Sequence, residues 1–145
     1  MISYFQKFTS TINKWIGKTS DFDLNKSIQC VDFARQYCSD TWTPIGTFGW
    51  SAINCWNTGC AFDKKWKRVI KTPTNFPNAG DLVFWKTGQY GHVAIWDNWS
   101  SVKFLNVIEQ NGATGNGKWQ GGDAIRRKTY DYKNPECVGW FTTQF

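Results

Sequence analysis

The stretch Asp21-Phe-Asp-Leu-Asn-Lys-Ser-Ile-Gln-Cys30-Val-Asp32 marks the point where an acid-rich polar segment gives way to a helix. Apolar or aromatic residues follow at the spacing of a buried helical face, at Val31, Ala34, Tyr37 and Cys38. Cys30 therefore lies in the first turn of the predicted helix, where free N–H groups and the positive end of the helix dipole favour a thiolate. A lone cysteine at a helix start is more often a small buried apolar residue. The interpretation of Cys30 as a nucleophile therefore depends on partners elsewhere in the chain.

The size and composition of the chain indicate one aromatic-rich domain. Its 145 residues are enough for one real core and too few for two. We expect a single domain over 1–145, with an N-terminal helix in 1–17 and the core in 18–145. Ten Trp, eleven Phe and five Tyr exceed what such a domain buries, which indicates an exposed aromatic groove for sugars or peptides. An aromatic-rich core without a groove is the alternative.

The net charge of +6 steers the protein towards polyanions such as nucleic acid, an anionic membrane or an anionic cell wall. No nucleic-acid-binding motif accompanies this charge. No apolar run of the roughly eighteen residues needed for a membrane span is present. The segment 1–7 lacks the apolar core and cleavage site of a signal peptide, so we expect synthesis in the cytoplasm.

Five cysteines, an odd number, cannot all pair within one chain. We expect mostly free thiols in a reducing cytosol, with a local Cys55–Cys60 disulfide outside the cell as the alternative. The gap between these two cysteines is longer than the C-x-x-C spacing of redox motifs, which argues against a redox protein.

The periodicity of apolar residues predicts helices first and strands afterwards. Residues 4–17 and 49–56 have helical patterns, the first closed by Gly17. From Gly80 the period changes to two. The predicted strands span 81–85, 91–97, 102–109, 124–129 and 137–142. This order indicates an α+β fold with N-terminal helices packed on a mostly antiparallel sheet.

The acidic segment before Cys30 has the spacing of an EF-hand loop. Counted from Asp21 as position 1, the ligand positions 1, 3, 5, 7 and 12 are Asp21, Asp23, Asn25, Ser27 and Asp32. Lys26 replaces the usual glycine at position 6, and position 12 is Asp in place of Glu. Hard oxygen ligands suit Ca²⁺, which would brace the loop and leave the chemistry to the protein. An Asp-rich helix entry with capping carboxylates is the alternative.

His92 is the chain's one histidine. In a hairpin where Asp97 faces Phe104, His92 lies opposite Glu109, with Cβ atoms about 4.5–5.5 Å apart. A carboxylate at that distance orients an imidazole and stabilises its charged form. Asn111, two residues further on, points to the same face and can do the same. Alternatively, His92 is an ordinary core or surface histidine.

Together with Cys30, these residues have the composition of a Cys-His-Glu/Asn thiol hydrolase, in which a nucleophile, a general base and a group that orients the base act together. The chain resembles the CHAP domain, the cysteine/histidine-dependent amidohydrolase/peptidase family, in a form common among bacteriophage endolysins. The matching pieces are Gln29-Cys-Val-Asp32, Gly80-Asp-Leu-Val-Phe-Trp85, Gly91-His-Val-Ala-Ile-Trp96 and Glu109-Gln-Asn-Gly112.

The resemblance implies a papain-like α+β fold that cleaves an amide bond in bacterial peptidoglycan. Cys30 would be the nucleophile, His92 the general base and Glu109 its orienter, with Asn111 assisting. Gln29 is a candidate side-chain donor to the oxyanion. The loop resembles the calcium-binding loop of phage members, which implies structural Ca²⁺ and no organic cofactor.

Other expectations follow from the same resemblance. The enzyme is an endopeptidase or an N-acetylmuramoyl-L-alanine amidase, acting as a monomer on the cell wall after release from the cytoplasm, without nucleic acid or membrane insertion. Two alternatives remain open, which are a catalytically inactive wall-binding module and a thiol acyltransferase with the same triad.

Overall fold

The order of helices and strands follows the predicted α+β arrangement. The computed structural model describes residues 2–22, 24, 29–41, 51–59, 66–97, 104–111, 123–131 and 133–143. Within these ranges the helices are α1 (Tyr4–Trp15), α2 (Cys30–Thr41) and α3 (Ala52–Thr58). The strands are β1 (Lys67–Ile70), β2 (Leu82–Trp85), β3 (His92–Trp96), β4 (Phe104–Glu109), β5 (Arg126–Asp131) and β6 (Cys137–Thr142). The α+β class is confirmed, and none of the helices in the described part of the chain is long and apolar enough to cross a bilayer.

Local signals at the helix ends explain where α1 and α3 begin and end. Ser3 accepts a hydrogen bond from the backbone N–H of Gln6, and the Gln6 side chain accepts one from the N–H of Ser3, which completes a capping box. Ser51 caps α3 by accepting from the N–H of Asn54. Gly59 ends α3 in the left-handed conformation that favours glycine.

The six strands form one antiparallel sheet in the order β1-β6-β2-β3-β4-β5. Successive side chains point to opposite faces, so β2 and β3 contribute to two apolar layers. Leu82, Phe84, Val93 and Ile95 face the helices, and Val83, Trp85, Ala94 and Trp96 belong to a second cluster. Both layers are buried, which explains the continuous apolar runs in these two strands.

The predicted register of the β3–β4 hairpin is wrong by two residues. Ile95 pairs with Ile108, and the N–H of Asp97 donates to the carbonyl of Asn106 at 2.9 Å. The predicted register would have placed the polar Asn106 beside the buried Ile95, whereas the observed one places Ile108 there. A shift of two residues keeps every side chain on its original face. His92 and Glu109 therefore share a face as diagonal neighbours and not as a directly opposed pair.

The N-terminal helix α1 is attached to α2 and to the start of β2. The carboxylate of Asp40 accepts from Lys14 Nζ at 2.9 Å and from Trp15 Nε1 at 2.8 Å. At the other end, the hydroxyl of Tyr4 donates to the carbonyl of Ala79. The hydroxyl of Tyr37, in α2, donates to the carbonyl of Gly80 at 3.2 Å. These contacts fix the back of α2 against the sheet.

Replacement of Gly80 by alanine tests this packing. Gly80 has φ +88°, and a Cβ there would overlap the hydroxyls of Tyr4 and Tyr37. Gly59→Ala is the matched control, because Gly59 has φ +77° and nothing within 4 Å of its Cβ position. We expect Gly59→Ala to lower the free energy of unfolding by about 1–2 kcal/mol and Gly80→Ala by a further 1–3 kcal/mol or so, measured by urea denaturation. Equal losses in the two variants would contradict the packing described.

Candidate active site

Cys30 opens into a cleft of about 610 Å³ between the starts of α2 and α3. The cleft is lined by Gln29, Cys30, Val31, Ser51, Ala52, Thr87, Gly88, Gln89, Tyr90, Gly91 and Asn111. Tyr90 is the one aromatic side chain among these described lining residues, and 54% of its surface is accessible. Most other described aromatic residues belong to the core, and the aromatic groove stays a prediction.

The first turn of α2 holds Cys30 at the cleft. Gln29 precedes the helix, and its N–H donates to a carboxylate oxygen of Asp32 at 2.9 Å. An acidic residue at the third helical position that caps the preceding N–H is half of a capping box. Cys30 is half-buried, and the interaction of its side chain with His92 raises the pKa of the imidazole. The structure thus brings together the cysteine and the histidine that the sequence separates by 62 positions.

His92, the first residue of β3, is 2% exposed. Its Nε2 lies 2.8 Å from Oε2 of Glu109. The ring of Trp85 packs beside the imidazole, with 5.7 Å between ring centroids, and Tyr130 packs against Trp85 in turn at 5.1 Å. Aromatic rings and a carboxylate therefore fix the imidazole in one orientation towards Cys30.

Glu109 is fully buried and has three partners besides backbone. The hydroxyl of Tyr130 donates to Oε2 at 2.7 Å, the same oxygen that contacts His92. Arg126 donates to Oε1 through Nε and Nη2, both at 3.4 Å. Burial acts to raise the pKa of Glu109, but His92, Tyr130 and Arg126 together lower it below its usual value. Glu109 is therefore a carboxylate at neutral pH.

The charge of His92 follows from the same contacts. Burial acts to lower its pKa, but hydrogen bonds and charge interactions with Cys30 and Glu109 outweigh burial and raise it to about 9. The imidazolium form is thus favoured at neutral pH, where it faces the sulfur with a positive charge. Because the ordinary pKa of histidine is about 6.5, this contact stabilises the folded state fully below that pH. The stabilisation is lost as the pH rises through about 9.

With this geometry in place, comparison with known proteins identifies the family. The CHAP domain family matches residues 19–111, more than half of the chain. The chain belongs to the CHAP domain family. The predicted resemblance is therefore confirmed for the segment that contains Cys30, His92, Glu109 and Asn111. No curated protein matches the chain.

A solved structure supports the fold of this CHAP domain. The wild-type endolysin LysIME-EF1 superposes with a TM-score of 0.74 at 21% sequence identity, over 98% of this chain and 64% of its own. The chain thus spans less than two thirds of the length of LysIME-EF1. The match covers α1 as well, which lies outside the segment matched by the family.

Asn111, the fourth predicted site residue of the CHAP domain, follows β4 and lines the cleft. Its φ of +60° places it in the left-handed region, where asparagine is tolerated better than most residues. Its side-chain oxygen accepts a hydrogen bond from the N–H of Asp123 at 3.1 Å. Glu109 is the residue whose side chain is seen against the imidazole Nε2.

Of the five predicted calcium ligands, the structure describes Asp21 and Asp32. Asp21 is half-buried and Asp32 is buried. Asp23, Asn25 and Ser27 lie outside the described residues. Within the described part of the chain, no group of three His, Cys, Asp or Glu side chains is placed to hold a metal ion. One oxygen of Asp32 serves as a helix cap, as the alternative interpretation of the loop proposed, and the metal site stays a prediction.

The sequence patterns did not predict a role in the site for three side chains, which are those of Gln110, Arg126 and Tyr130. Arg126 lies directly opposite Glu109 in the β4–β5 pairing, so a correct pairing of these strands would have found it. Tyr130 lies opposite Leu105, four residues from Arg126 along β5 and therefore on the same face of the sheet. No local pattern marks Gln110, whose partners are 81 and 90 residues away.

The other described cysteines differ from Cys30 in burial or in disulfide bonding. Cys38 and Cys137 are free and buried, and burial raises the pKa of both thiols, that of Cys137 to about 11. Cys55 is disulfide-bonded, so the expectation of free thiols fails at this position. Cys60, its predicted partner in the alternative, lies outside the described residues.

The titration of His92 tests the arrangement directly. Since it is the one histidine of the chain, its ring proton resonances can be assigned without ambiguity. We expect an NMR titration midpoint near pH 9 in the native protein and a lower one in Cys30→Ala, because the sulfur contributes to the raised pKa of His92. Cys38→Ala is the control and leaves the midpoint unchanged. A midpoint near 6.5 in the native protein would contradict the buried contact with Glu109.

Proposed function

We propose that this CHAP domain is a peptidoglycan hydrolase that cleaves an amide bond of the bacterial cell wall with Cys30 as nucleophile. One observation carries the proposal: Cys30 and Glu109 both act on the imidazole of His92, and Cys30 lines an open cleft. Family membership and the likeness to an endolysin support the substrate class. The net charge of +6 suits an anionic wall.

The mechanism assigns each residue a role. The thiolate of Cys30 attacks the carbonyl carbon of the scissile amide and forms a carbon–sulfur bond. The backbone N–H of Cys30 and the side chain of Gln29 stabilise the oxyanion. His92 then donates its proton to the leaving amine as the carbon–nitrogen bond breaks. In the second half, His92 takes a proton from a water molecule as the water oxygen attacks the acyl carbon. The carbon–sulfur bond then breaks, which releases the acid product and restores the thiolate of Cys30 beside the protonated His92.

Glu109 holds the imidazole and stabilises its positive charge throughout the cycle. Tyr130 and Arg126 keep Glu109 ionised, so that the carboxylate supports the imidazolium without taking its proton. Asn111 lies at the end of the same strand and borders the cleft near these groups. Its amide is the fourth member of the proposed site.

The cleft fits an extended glycopeptide. Its volume of about 610 Å³ lies within the range of ligand sites in proteins. The exposed ring of Tyr90 at the rim offers a flat surface for a sugar or peptide face. A stem or cross-bridge peptide bond and the N-acetylmuramoyl-L-alanine bond both present the same amide chemistry to Cys30. Mass spectrometry of digested peptidoglycan distinguishes the two, since the new N-termini identify the cleaved bond.

Replacement of Cys30 by alanine tests the proposal. We expect Cys30→Ala to reduce lysis of purified peptidoglycan by about 10³-fold or more while circular dichroism shows an intact fold. Cys38→Ala is the matched control, because Cys38 is a buried cysteine of the same helix. We expect Cys38→Ala to keep its hydrolytic activity and to have a lower free energy of unfolding than the native protein. Full lytic activity in Cys30→Ala would refute the proposed function, and transfer of the acyl group to an added amine would favour an acyltransferase instead.

We also propose that the loop between Asp21 and Asp32 binds Ca²⁺ as a structural ion. Asp21 and Asp32 would hold it together with Asp23, Asn25 and Ser27. The two described carboxylates lie at the two ends of the loop, and oxygen donors of this kind suit a hard cation. When bound, the ion neutralises the carboxylates and braces the loop that enters α2. The reaction itself is carried out by the side chains of the protein.

Thermal unfolding tests the metal site. A ligand present at one hundred times its dissociation constant stabilises the folded state by about 2.7 kcal/mol. We therefore expect millimolar Ca²⁺ to raise the Tm above that measured in EDTA, and Asp21→Asn to reduce this difference. Asp40→Asn, a carboxylate substitution at the far end of α2, leaves the difference unchanged. A Tm that is the same in Ca²⁺ and in EDTA would remove the site.

A further inference from the structure

Gln110 is a fully buried polar residue between two members of the proposed site, Glu109 and Asn111. Its side-chain Nε2 donates to the carbonyl of Ser20 at 2.8 Å and to the carbonyl of Gln29 at 2.7 Å. Its Oε1 accepts from the N–H of Ser20 at 2.6 Å. The amide thus makes three hydrogen bonds to backbone, and both of its N–H donors are used.

These bonds reach the residue immediately before Cys30. The carbonyl of Gln29 and the N–H of Cys30 belong to one planar, trans peptide unit, in which the two groups point in opposite directions. The carbonyl of that unit accepts from Gln110 at 2.7 Å and from the N–H of Asp32 at 3.2 Å, so that Gln110 and the first turn of α2 hold it together. The N–H of Cys30 therefore points away from Gln110, and Cys30 itself is one of the residues that line the cleft.

A second contact fixes the same segment from the other side. The N–H of Gln29 donates to Asp32 at 2.9 Å, so that both backbone groups of Gln29 have defined partners. Because Asp32 is part of α2, this contact attaches Gln29 to the helix and not to the sheet. Gln110 follows β4, the strand that carries Glu109. Its hydrogen bond to the Gln29 carbonyl therefore connects the Gln29–Cys30 peptide to the end of that strand.

We propose that Gln110 is a positioning residue that orients the Gln29–Cys30 peptide unit, so that the N–H of Cys30 faces the cleft as an oxyanion donor. This inference rests on the proposed hydrolase function. Oxyanion donors act on charge that develops in the transition state, so their orientation affects kcat more than KM. The hydrogen bond to the Gln29 carbonyl also polarises the peptide unit and strengthens its N–H as a donor.

Two variants separate this role from simple support of the loop. Gln110→Glu keeps the shape and the acceptor oxygen but removes both N–H donors. Gln110→Met keeps the approximate length and removes all three hydrogen bonds. Thr41→Val is the matched control, because Thr41 is a buried residue at the opposite end of α2 that donates to the carbonyl of Tyr37 at 2.6 Å.

Two rates are measured for each variant below its Tm. The first is hydrolysis of purified peptidoglycan over a range of concentrations, which requires oxyanion stabilisation. The second is alkylation of Cys30 by iodoacetamide, followed by peptide mass spectrometry, in which no oxyanion forms. Alkylation depends on the ionisation and accessibility of the sulfur, both of which would change if Cys30 moved away from His92.

We expect kcat for hydrolysis to fall about 10-fold or more in both Gln110 variants, at nearly constant KM. The rate of Cys30 alkylation stays within about two-fold of that of the native protein, and its dependence on pH is unchanged. Thr41→Val keeps both rates. Unchanged hydrolysis in the Gln110 variants would overturn the inference. A parallel loss of hydrolysis and alkylation would also overturn it, because it would show displacement of the sulfur. So would loss of the folded state in both variants, since Gln110 would then serve the fold alone.

Cys30→Ala in the same assay keeps the two proposals apart. If it hydrolyses peptidoglycan, the proposed function is wrong. If it is inactive while the Gln110 variants are fully active, the role of Gln110 alone is wrong.

Discussion

The buried contact between the imidazole of His92 and the carboxylate of Glu109 is the constraint on which the rest of the structure depends. Removing charged groups from water costs several kcal/mol each unless partners compensate for the lost hydration. Here the compensation comes from Tyr130 and Arg126 on β5, and from the sulfur of Cys30 on α2. Strands β3, β4 and β5 and the start of α2 must therefore meet at one place for the pair to be tolerated.

The elements that the sequence predicts well are those with a strong local signal. The start of α2 at Cys30 follows from one apolar face and from Asp32 as a cap, and β6 has the bounds expected from its apolar run. The register of the β3–β4 hairpin has no such signal, because the sequence does not show at which residue β3 ends and β4 begins. The two-residue error still placed His92 and Glu109 on one face, since strand side chains alternate with a period of two.

The supporting residues could not be predicted because their roles arise only from contacts distant in sequence. Gln110 stands beside Glu109 but points to the other side of the chain, where it meets Ser20 and Gln29. Nothing in its neighbours distinguishes it from a polar residue at the end of a strand. Tyr130 and Arg126 likewise acquire a role only when β5 pairs with β4. Candidate reactive residues can thus be recognised in the sequence by their residue type. The residues that hold them in place can be recognised only from their contacts in the folded structure.

The placement of β6 between β1 and β2 has a consequence for biosynthesis. Both neighbours are translated before residues 137–142, so a nascent chain on the ribosome has two unpaired strand edges where β6 will insert. Pairings between segments so far apart in sequence form slowly, and open edges invite association with other chains. The sheet is complete only after residues 137–142 have been translated, so the assembly of the site around Cys30 and His92 waits for the last strand of the sheet.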